Sequence, residues 1–434
     1  MNSIATQNKI RDYSAPSMLS LDSARPILAT IVLAVIWITF RPFLGANAGD
    51  VESSLLNQYG YSGLCVVTLI MLFSAADRNV VLALISPAWL VLFAALLIPI
   101  VVADVSSDDT RAIYFAIIVV VLAANFITLP RNADELSRTL RLVSFVVLGL
   151  SFLGLLLWPI DAIHQVSEAE SHHAGYWRGL YPHKNIAGPI MTAIAFVGVY
   201  LARRGMRISG IIIAISALIF IANTGSKTSL ILAPAVAMMV LLPSLMGLRS
   251  LAALAVIVAM VATHAFTIGT VFSPFLDAIL RSVDPVTTYT GRIEIWEFAK
   301  PYLFQNAWTG FGFDGFWKSD LVELGEQPFD RTWDPRGVVH GHNGYLDFAL
   351  VAGIPMMLVL VWITVIAPAV DYVRTPRKIE NILLSDLMFM IVAFAVMNAA
   401  LESFFFRRAD PVWLTLIIAL FGLRLAARLP ISSR

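Results

Sequence analysis

Leu251-Ala-Ala-Leu-Ala-Val-Ile-Val-Ala-Met-Val-Ala-Thr-His-Ala-Phe-Thr-Ile-Gly-Thr270 runs for twenty residues without a charged side chain. A helix needs about 20 apolar residues to cross the hydrocarbon layer of a bilayer, and this stretch has that length. The chain then stays polar from 271 to 342 before a further apolar run begins. Outward from there, segments of the same kind recur at 26–44, 61–75, 80–103, 112–129, 139–159, 186–202, 208–222, 228–246, 343–368, 383–401 and 412–427. The expected fold is therefore all-α, a polytopic transmembrane helix bundle of about 12 spans with a long loop before span ten. The composition agrees, because 58% of the 434 residues are hydrophobic and only 14% are charged, far from the soluble-domain average. The expected organisation is a tail at 1–25, transmembrane helices one to nine over 26–270, the large loop at 271–342, helices ten to twelve over 343–427 and a tail at 428–434. The polar first 25 residues contain no removable signal peptide, so the first span would direct insertion. The single cysteine, Cys65, rules out a disulfide framework. A net charge of +1 points to no nucleic-acid partner.

Orientation is read from Lys and Arg in the short loops, because positive segments resist translocation. Lys9, Arg11 and Arg25 precede span one, and Arg131, Arg138 and Arg141 follow span four. Arg203, Arg204 and Arg207 follow span six, Arg374, Arg377 and Lys378 follow span ten, and Arg424, Arg428 and Arg434 close the chain. Both termini are expected in the cytoplasm of a bacterial inner membrane. Three segments then face outward: 160–185, 271–342 and 402–411. They hold His164, His172, His173, His183, His340 and His342, six of the seven histidines. Cations placed against the positive-inside bias gather there as well, among them Arg178, Lys184, Arg292, Arg331, Arg336, Arg407 and Arg408, and Lys227 stands in a further outward turn. Charges so placed are candidates for anion binding, although loop solvation or a local ion pair explains any single one equally well.

Within Tyr289-Thr-Gly-Arg-Ile-Glu-Ile-Trp296 a helix start is expected, with Thr290 as N-cap and Arg292 in the first turn. Free N–H groups there favour anions, and a guanidinium adds a fork matched to phosphate oxygens; the plainer reading is an arginine packed on Trp296 or paired with Glu294. Pro335-Arg-Gly-Val-Val-His-Gly-His-Asn343 leads straight into span ten, so His342 stands at the membrane surface, where a neutral imidazole is suited to proton transfer. On the following helix Tyr345 falls on its face and Asp347 is less aligned. His340 and His342 find no Cys or close carboxylate to complete a zinc set, so no metal or other cofactor is expected. In Tyr176-Trp-Arg-Gly-Leu-Tyr-Pro-His-Lys-Asn185 aromatic rings flank Arg178, His183 and Lys184, a mixture suited to sugar and phosphate, or simply an interfacial belt. Asn223-Thr-Gly-Ser-Lys-Thr-Ser229 lacks the first glycine and preceding strand of a phosphate loop, so nucleotide binding is rejected. Arg407 and Arg408 are expected to pair with Glu402 and Asp410.

In order, these segments resemble the O-antigen ligase and polymerase superfamily, the Wzy and WaaL type of membrane glycosyltransferase. The matching elements are Gly179-Leu-Tyr-Pro-His-Lys-Asn185, Gly225-Ser-Lys227, Thr290-Gly-Arg-Ile-Glu-Ile-Trp296, Gly310-Phe-Gly312, His342-Asn-Gly-Tyr-Leu346, Gly353-Ile-Pro355 and Leu401-Glu-Ser403. The His-Lys-Asn and His-Asn-Gly-Tyr-Leu-Asp runs look closest to ExoQ-like exopolysaccharide polymerases. One departure is Ser226-Lys227 where many relatives have Ser-Arg, which keeps the charge but loses bidentate recognition. The resemblance implies transfer of a glycan from undecaprenyl pyrophosphate to an acceptor sugar hydroxyl at the periplasmic face, without nucleotide sugar or metal. It implies His342 as general base and Arg292 as the chief cation at the leaving pyrophosphate. Arg178, His183, Lys184, Asn185, Lys227, His340, Asn343 and Tyr345 are the expected substrate-binding residues. Partners implied are the lipid-linked donor, the glycan acceptor, the bilayer itself, and flippase, chain-length or export proteins.

Polymerisation of exopolysaccharide or O-antigen repeat units leads this reading, with ligation of polymer to lipid A core as the alternative. A third option of another class is a lipid-linked oligosaccharide flippase or secondary transporter, for which about twelve spans is a common layout. Transporters place ionisable groups near the midplane in two matching halves, and here only the second half has a long outer loop.

Overall fold

A backbone inside hydrocarbon must satisfy its own N–H and C=O groups, which leaves the helix as the form for each apolar run. The computed structural model describes residues 21–44, 54–102, 105–168, 171–287, 289, 291–313, 315–323 and 334–433, without the side chains of Leu21, Asp22 and Ala75. Among the described residues nine helices are long and apolar enough to cross a membrane: Leu55–Ser74, Ser107–Phe126, Ala133–Leu157, Lys184–Arg203, Lys227–Leu245, Arg249–Phe266, Gly344–Arg374, Ile379–Asn398 and Pro411–Arg428. Arg78–Leu84 and Pro87–Val102, bent by 57° at their break, make a tenth if they form one span. Ser23–Ile38 and Arg207–Asn223 are shorter apolar helices. The chain is thus a polytopic all-helical bundle, and every apolar run expected from the sequence is occupied by one of these elements.

Where the ends differ from expectation, backbone chemistry explains it. The first helix stops at Ile38 and not at 44, with Thr39 and Phe43 in the left-handed region on either side of Pro42; a residue preceding proline is pushed out of the helical region. Pro87 likewise starts a new helix after Ile85 and Ser86. In the third-last span Gly353 adopts φ 82°, which breaks the ladder inside the helix. The carbonyls freed there are taken up by the preceding loop: the amides of Phe311 and Gly312 donate to Leu350 and Val351 at 2.7 and 3.0 Å, and Ile354 donates to Ala307 at 2.7 Å. Both glycine motifs singled out in the sequence, at 310–312 and 353–355, meet at this seam. A side chain at Gly353 would collide with the Trp308 backbone.

Burial divides the bundle into an inner and an outer set. Buried residues make up 83% of the apolar window in Ile379–Asn398 and 78% in both Lys184–Arg203 and Pro411–Arg428, against 22% in Lys227–Leu245 and Arg249–Phe266. The first three are core staves, and the last two leave most of their surface for lipid. Lys184–Arg203 and Arg207–Asn223 form a close hairpin, because a Cβ on Gly198 would come within 2.6 Å of the Ala214 backbone nitrogen; small residues at such crossings let membrane helices touch. Gly198→Val is expected to cost about 1–3 kcal/mol, the range for overpacking, seen as a lowered unfolding temperature of the purified protein, and an unchanged temperature would refute this packing account.

The two ends of the bundle are stabilised differently. At one end the fully buried Asp386 receives Arg203 at 2.8 Å, Arg249 at 3.2 Å, the Ser244 hydroxyl at 2.8 Å and the Tyr372 hydroxyl at 2.9 Å. At the other end the three long connections, 158–183, 267–343 and 399–410, come together. The middle connection contains the helices Pro274–Val283 and Arg292–Gln305. Trp296, Phe298, Leu303 and Phe316 pack it against Leu346 and Leu350 of the broken span.

Candidate functional site

Gly291, at φ 83°, caps the helix Arg292–Gln305; Thr290, expected in that role, lies outside the described residues, as does Arg331. Arg292 is therefore the first helical residue, where the expected pattern put it in the first turn. Its guanidinium donates to the Tyr289 carbonyl at 3.1 Å and to Glu402 Oε1 at 2.6 Å. One turn on, the Trp296 indole donates to the Gly341 carbonyl at 2.7 Å. Gly341 is held from the other side as well, its amide donating to the Asp347 carboxylate at 2.9 Å, while the Trp317 indole donates to the same group at 2.8 Å. The segment His340-Gly-His342 is thus clamped between two helices.

Asn343 finishes the clamp. Its side chain accepts from the Leu346 amide at 2.9 Å and donates to the Ala400 carbonyl at 3.1 Å, and the Gly344 amide donates to Ala399 at 2.8 Å. These bonds bring the start of one span against the turn that contains Glu402. His342 then stands with Nδ1 3.5 Å from Glu402 Oε2 and a third of its side chain, 32%, exposed. Its φ of 51° is left-handed, an uncommon state for a non-glycine residue that a surrounding structure must enforce. The His340 ring lies 4.1 Å from the His342 ring.

From the first turn of the helix Lys184–Arg203, Asn185 donates its amide to Glu402 Oε1 at 2.8 Å. One carboxylate therefore joins Asn185, Arg292 and His342, residues drawn from three separate parts of the chain. Burial pushes the Glu402 carboxyl up, but the contact with His342 and the charges of Arg292 and His183 outweigh it and hold the group below its ordinary value. For His340, burial followed by the charges of His342, Arg407, Arg292 and His183 pushes the imidazole well below its ordinary value, so it stays neutral near pH 7. A cavity of about 420 Å³ adjoins the group, with His340, Arg407, Arg408 and Lys318 among its polar walls and Phe316, Trp317 and Phe405 among its rings.

The other expected site residues are placed less directly. His183 caps the helix Lys184–Arg203 by accepting from the Asn185 amide at 3.1 Å, and its ring lies 5.1 Å from His164 and 5.3 Å from His173. Lys184 is buried with its ammonium 4.6 Å over the Tyr176 ring. Arg178 is 1% exposed and already engaged by the carbonyls of Asp161 and Ile160, at 2.7 and 3.0 Å, and by Glu168 at 2.8 Å. It staples its loop and offers no free face to a ligand. His164 completes that loop, accepting the Lys184 amide at Nε2 (3.2 Å), which puts its proton on Nδ1 toward Glu168 at 2.9 Å. Tyr345 is buried with its hydroxyl 2.8 Å from that of Thr364. Lys227 is exposed at the start of its helix and makes no hydrogen bond or ion pair among the described residues. Among the described residues no three His, Cys, Asp or Glu side chains are arranged to hold a metal ion.

Two residues carry more than the sequence suggests. The sequence pairs Glu402 and Asp410 with Arg407 and Arg408; in the structure Glu402 binds Arg292, 110 positions away. Asp347, less aligned than Tyr345 in the sequence pattern, positions Gly341. The usable signal for the first is electrostatic: a cluster of cations needs a counter-ion. Glu402→Gln is expected to weaken the hold on Arg292 by about 1.5–3 kcal/mol, the range for hydrogen bonds to charged groups. A double-mutant cycle with Arg292→Ala on unfolding temperature tests this, since strictly additive losses would mean the two do not interact.

The fold and site define a many-helix membrane protein with a cationic, histidine-bearing centre built where its three long connections meet. Residues 211–361, about a third of the chain, match the family model described as O-antigen ligase, which supports a relation to the O-antigen ligase and polymerase superfamily. The matched stretch includes Arg292 and His342 and stops short of Asn185 and Glu402 at either side. No curated protein matches the chain at a meaningful level.

Proposed function

We propose that the protein transfers a glycan from undecaprenyl pyrophosphate to an acceptor sugar hydroxyl, at the periplasmic face of the bacterial inner membrane, and so polymerises exopolysaccharide or O-antigen repeat units. The observation that carries this reading is the single carboxylate of Glu402 with Arg292 on one oxygen and His342 at the other. The acceptor oxygen attacks the anomeric carbon, the bond from that carbon to the phosphate oxygen breaks, and the pyrophosphate leaves with the electron pair. Arg292 faces the growing negative charge, commonly the largest catalytic term. His342, with Nδ1 turned to Glu402, has Nε2 left to take the acceptor proton. Attack opposite the leaving group inverts the anomeric configuration. The guanidinium charge serves where other transferases use a metal ion, so none is required. Asn185 holds Glu402, His183 and Lys227 are auxiliary groups, and His340 lines the adjoining cavity, which at about 420 Å³ is of a size and ring content suited to sugar units.

The orientation rests on the Lys and Arg bias, which puts both termini in the cytoplasm. Ligation to lipid A core is the second reading, favoured by the description of the matching family; the preference for polymerisation rests on the likeness to ExoQ-like enzymes. Flippase, chain-length or export proteins would act before and after this step. Purified protein in liposomes with a lipid-linked oligosaccharide donor tests the proposal. Longer chains on the lipid support polymerase, transfer only when lipid A core is added supports ligase, and gradient-driven uptake with no new glycosidic bond refutes both. In cells, deletion should abolish long polymer while single units are still exported; free long polymer would indicate the ligase.

A further inference from the structure

A second cavity, of about 460 Å³, lies at the far end of the two spans that start from the site, between the broken pair Arg78–Val102, the π-turn Trp362–Ile366 and the last helix. Trp89 and Trp362 form part of its apolar wall, and Asp371, Arg374, Arg424 and Arg428 are its ionisable groups. Three guanidiniums against one carboxylate leave an excess of two positive charges. Arg424 is partly spent, donating to the carbonyls of Ala83, at 2.6 Å, and Ile85, which the break between the two helices leaves open. Arg428 lies 3.1 Å from Asp371. Arg374 is exposed and makes no hydrogen bond or ion pair among the described residues.

Depth and chemistry together limit what fits. Pro411–Arg428 is 18 residues long, about 27 Å at the helical rise, so Arg424 and Arg428 stand nearly one hydrocarbon thickness from the site, at headgroup level of the opposite leaflet. The two indoles lie deeper: Trp362 is twelve residues before Arg374, about 18 Å at the helical rise, and the Trp89 ring is 6.3 Å from that of Trp413 in the first turn of the last helix, so both face the acyl region. A soluble anion would have no use for the two indoles, and a neutral lipid none for the unpaired guanidinium. The π-turn that opens the wall is a distortion found mostly at functional places.

We infer that this cavity binds an anionic membrane lipid, its headgroup phosphate among Arg374, Arg424 and Arg428 and an acyl chain along Trp89 and Trp362. Basic pockets between spans attract such headgroups. The bound lipid ties the broken helix pair to the last span, and its loss lowers thermal stability. The site is independent of the glycan chemistry proposed above.

The test uses delipidated full-length protein in detergent, titrated with dioctanoyl phosphatidylglycerol, dioctanoyl phosphatidylcholine or inorganic phosphate, and read by native mass spectrometry and unfolding temperature. Phosphatidylglycerol is expected to bind about tenfold more tightly than phosphatidylcholine and to raise the unfolding temperature. Arg374→Gln, which breaks no internal bond, should weaken phosphatidylglycerol about fivefold, and Trp362→Ala should weaken both lipids together. Equal binding of the two lipids, or unchanged phosphatidylglycerol binding in both variants, overturns the inference. Inorganic phosphate binding as tightly as phosphatidylglycerol overturns the lipid assignment and gives the pocket to a soluble anion.

Discussion

Arg292→Ala is expected to lower glycan transfer roughly 10²–10³-fold, the loss seen when a group facing developing negative charge is removed. The effect has two sources. The guanidinium that would meet the leaving pyrophosphate is gone, and the Glu402 carboxylate it neutralised, 2.6 Å away, now repels that same group. Arg292→Lys should recover only part of the rate, because an ammonium cannot hold Glu402 and a phosphate oxygen in the planar fork that arginine provides. The variant must be shown to insert, since leaving one member of a largely buried ion pair alone destabilises a fold. Adding Glu402→Gln to Arg292→Ala separates these effects: stability returns while transfer stays lost. Normal polymer from the single variant would remove Arg292 from the mechanism.

His342→Ala is expected to cost roughly 10²–10⁴-fold, the usual contribution of a general base. Binding of the lipid donor should change little, so the loss falls on turnover, and added free imidazole should restore part of the rate. A variant that imidazole does not rescue and that has lost donor binding as well would show that His342 only shapes the loop. The left-handed backbone at this position, φ 51°, makes that second readout necessary, because alanine there also changes the strain.

The bundle was legible because each apolar run has the length that hydrocarbon demands, so the spans follow from solvent chemistry before any packing is known. Their ends were less so: the stop at Ile38 is set by Pro42, and the break at Gly353 needs amides from Phe311 and Gly312 that lie about forty residues earlier. The candidate site is legible as a bias, since six histidines and most cations expected to face outward gather in three segments. Which of them act together is not. Glu402, Asn185 and Arg292 come from separate parts of the chain, and nothing in local spacing announces a bond across 217 residues such as that from Asn185 to Glu402. Arg178 shows the reverse limit, because a cation on the expected side turned out to be saturated by its own loop, where the carbonyls of Ile160 and Asp161 and the Glu168 carboxylate occupy it. Asn343 and Tyr345 lie in the expected segment but are buried, and their polar atoms fix the helix that presents His342.

The measurement that bears most directly on the whole account is an experimental density map of the full-length protein in a lipid nanodisc with an undecaprenyl pyrophosphate glycan bound. The pyrophosphate is predicted within hydrogen-bond reach of the Arg292 guanidinium, with the His342 Nε2 edge toward the anomeric carbon. A pyrophosphate held at another place, with Arg292 still closed on Glu402 and His342 turned away from the sugar, would contradict it.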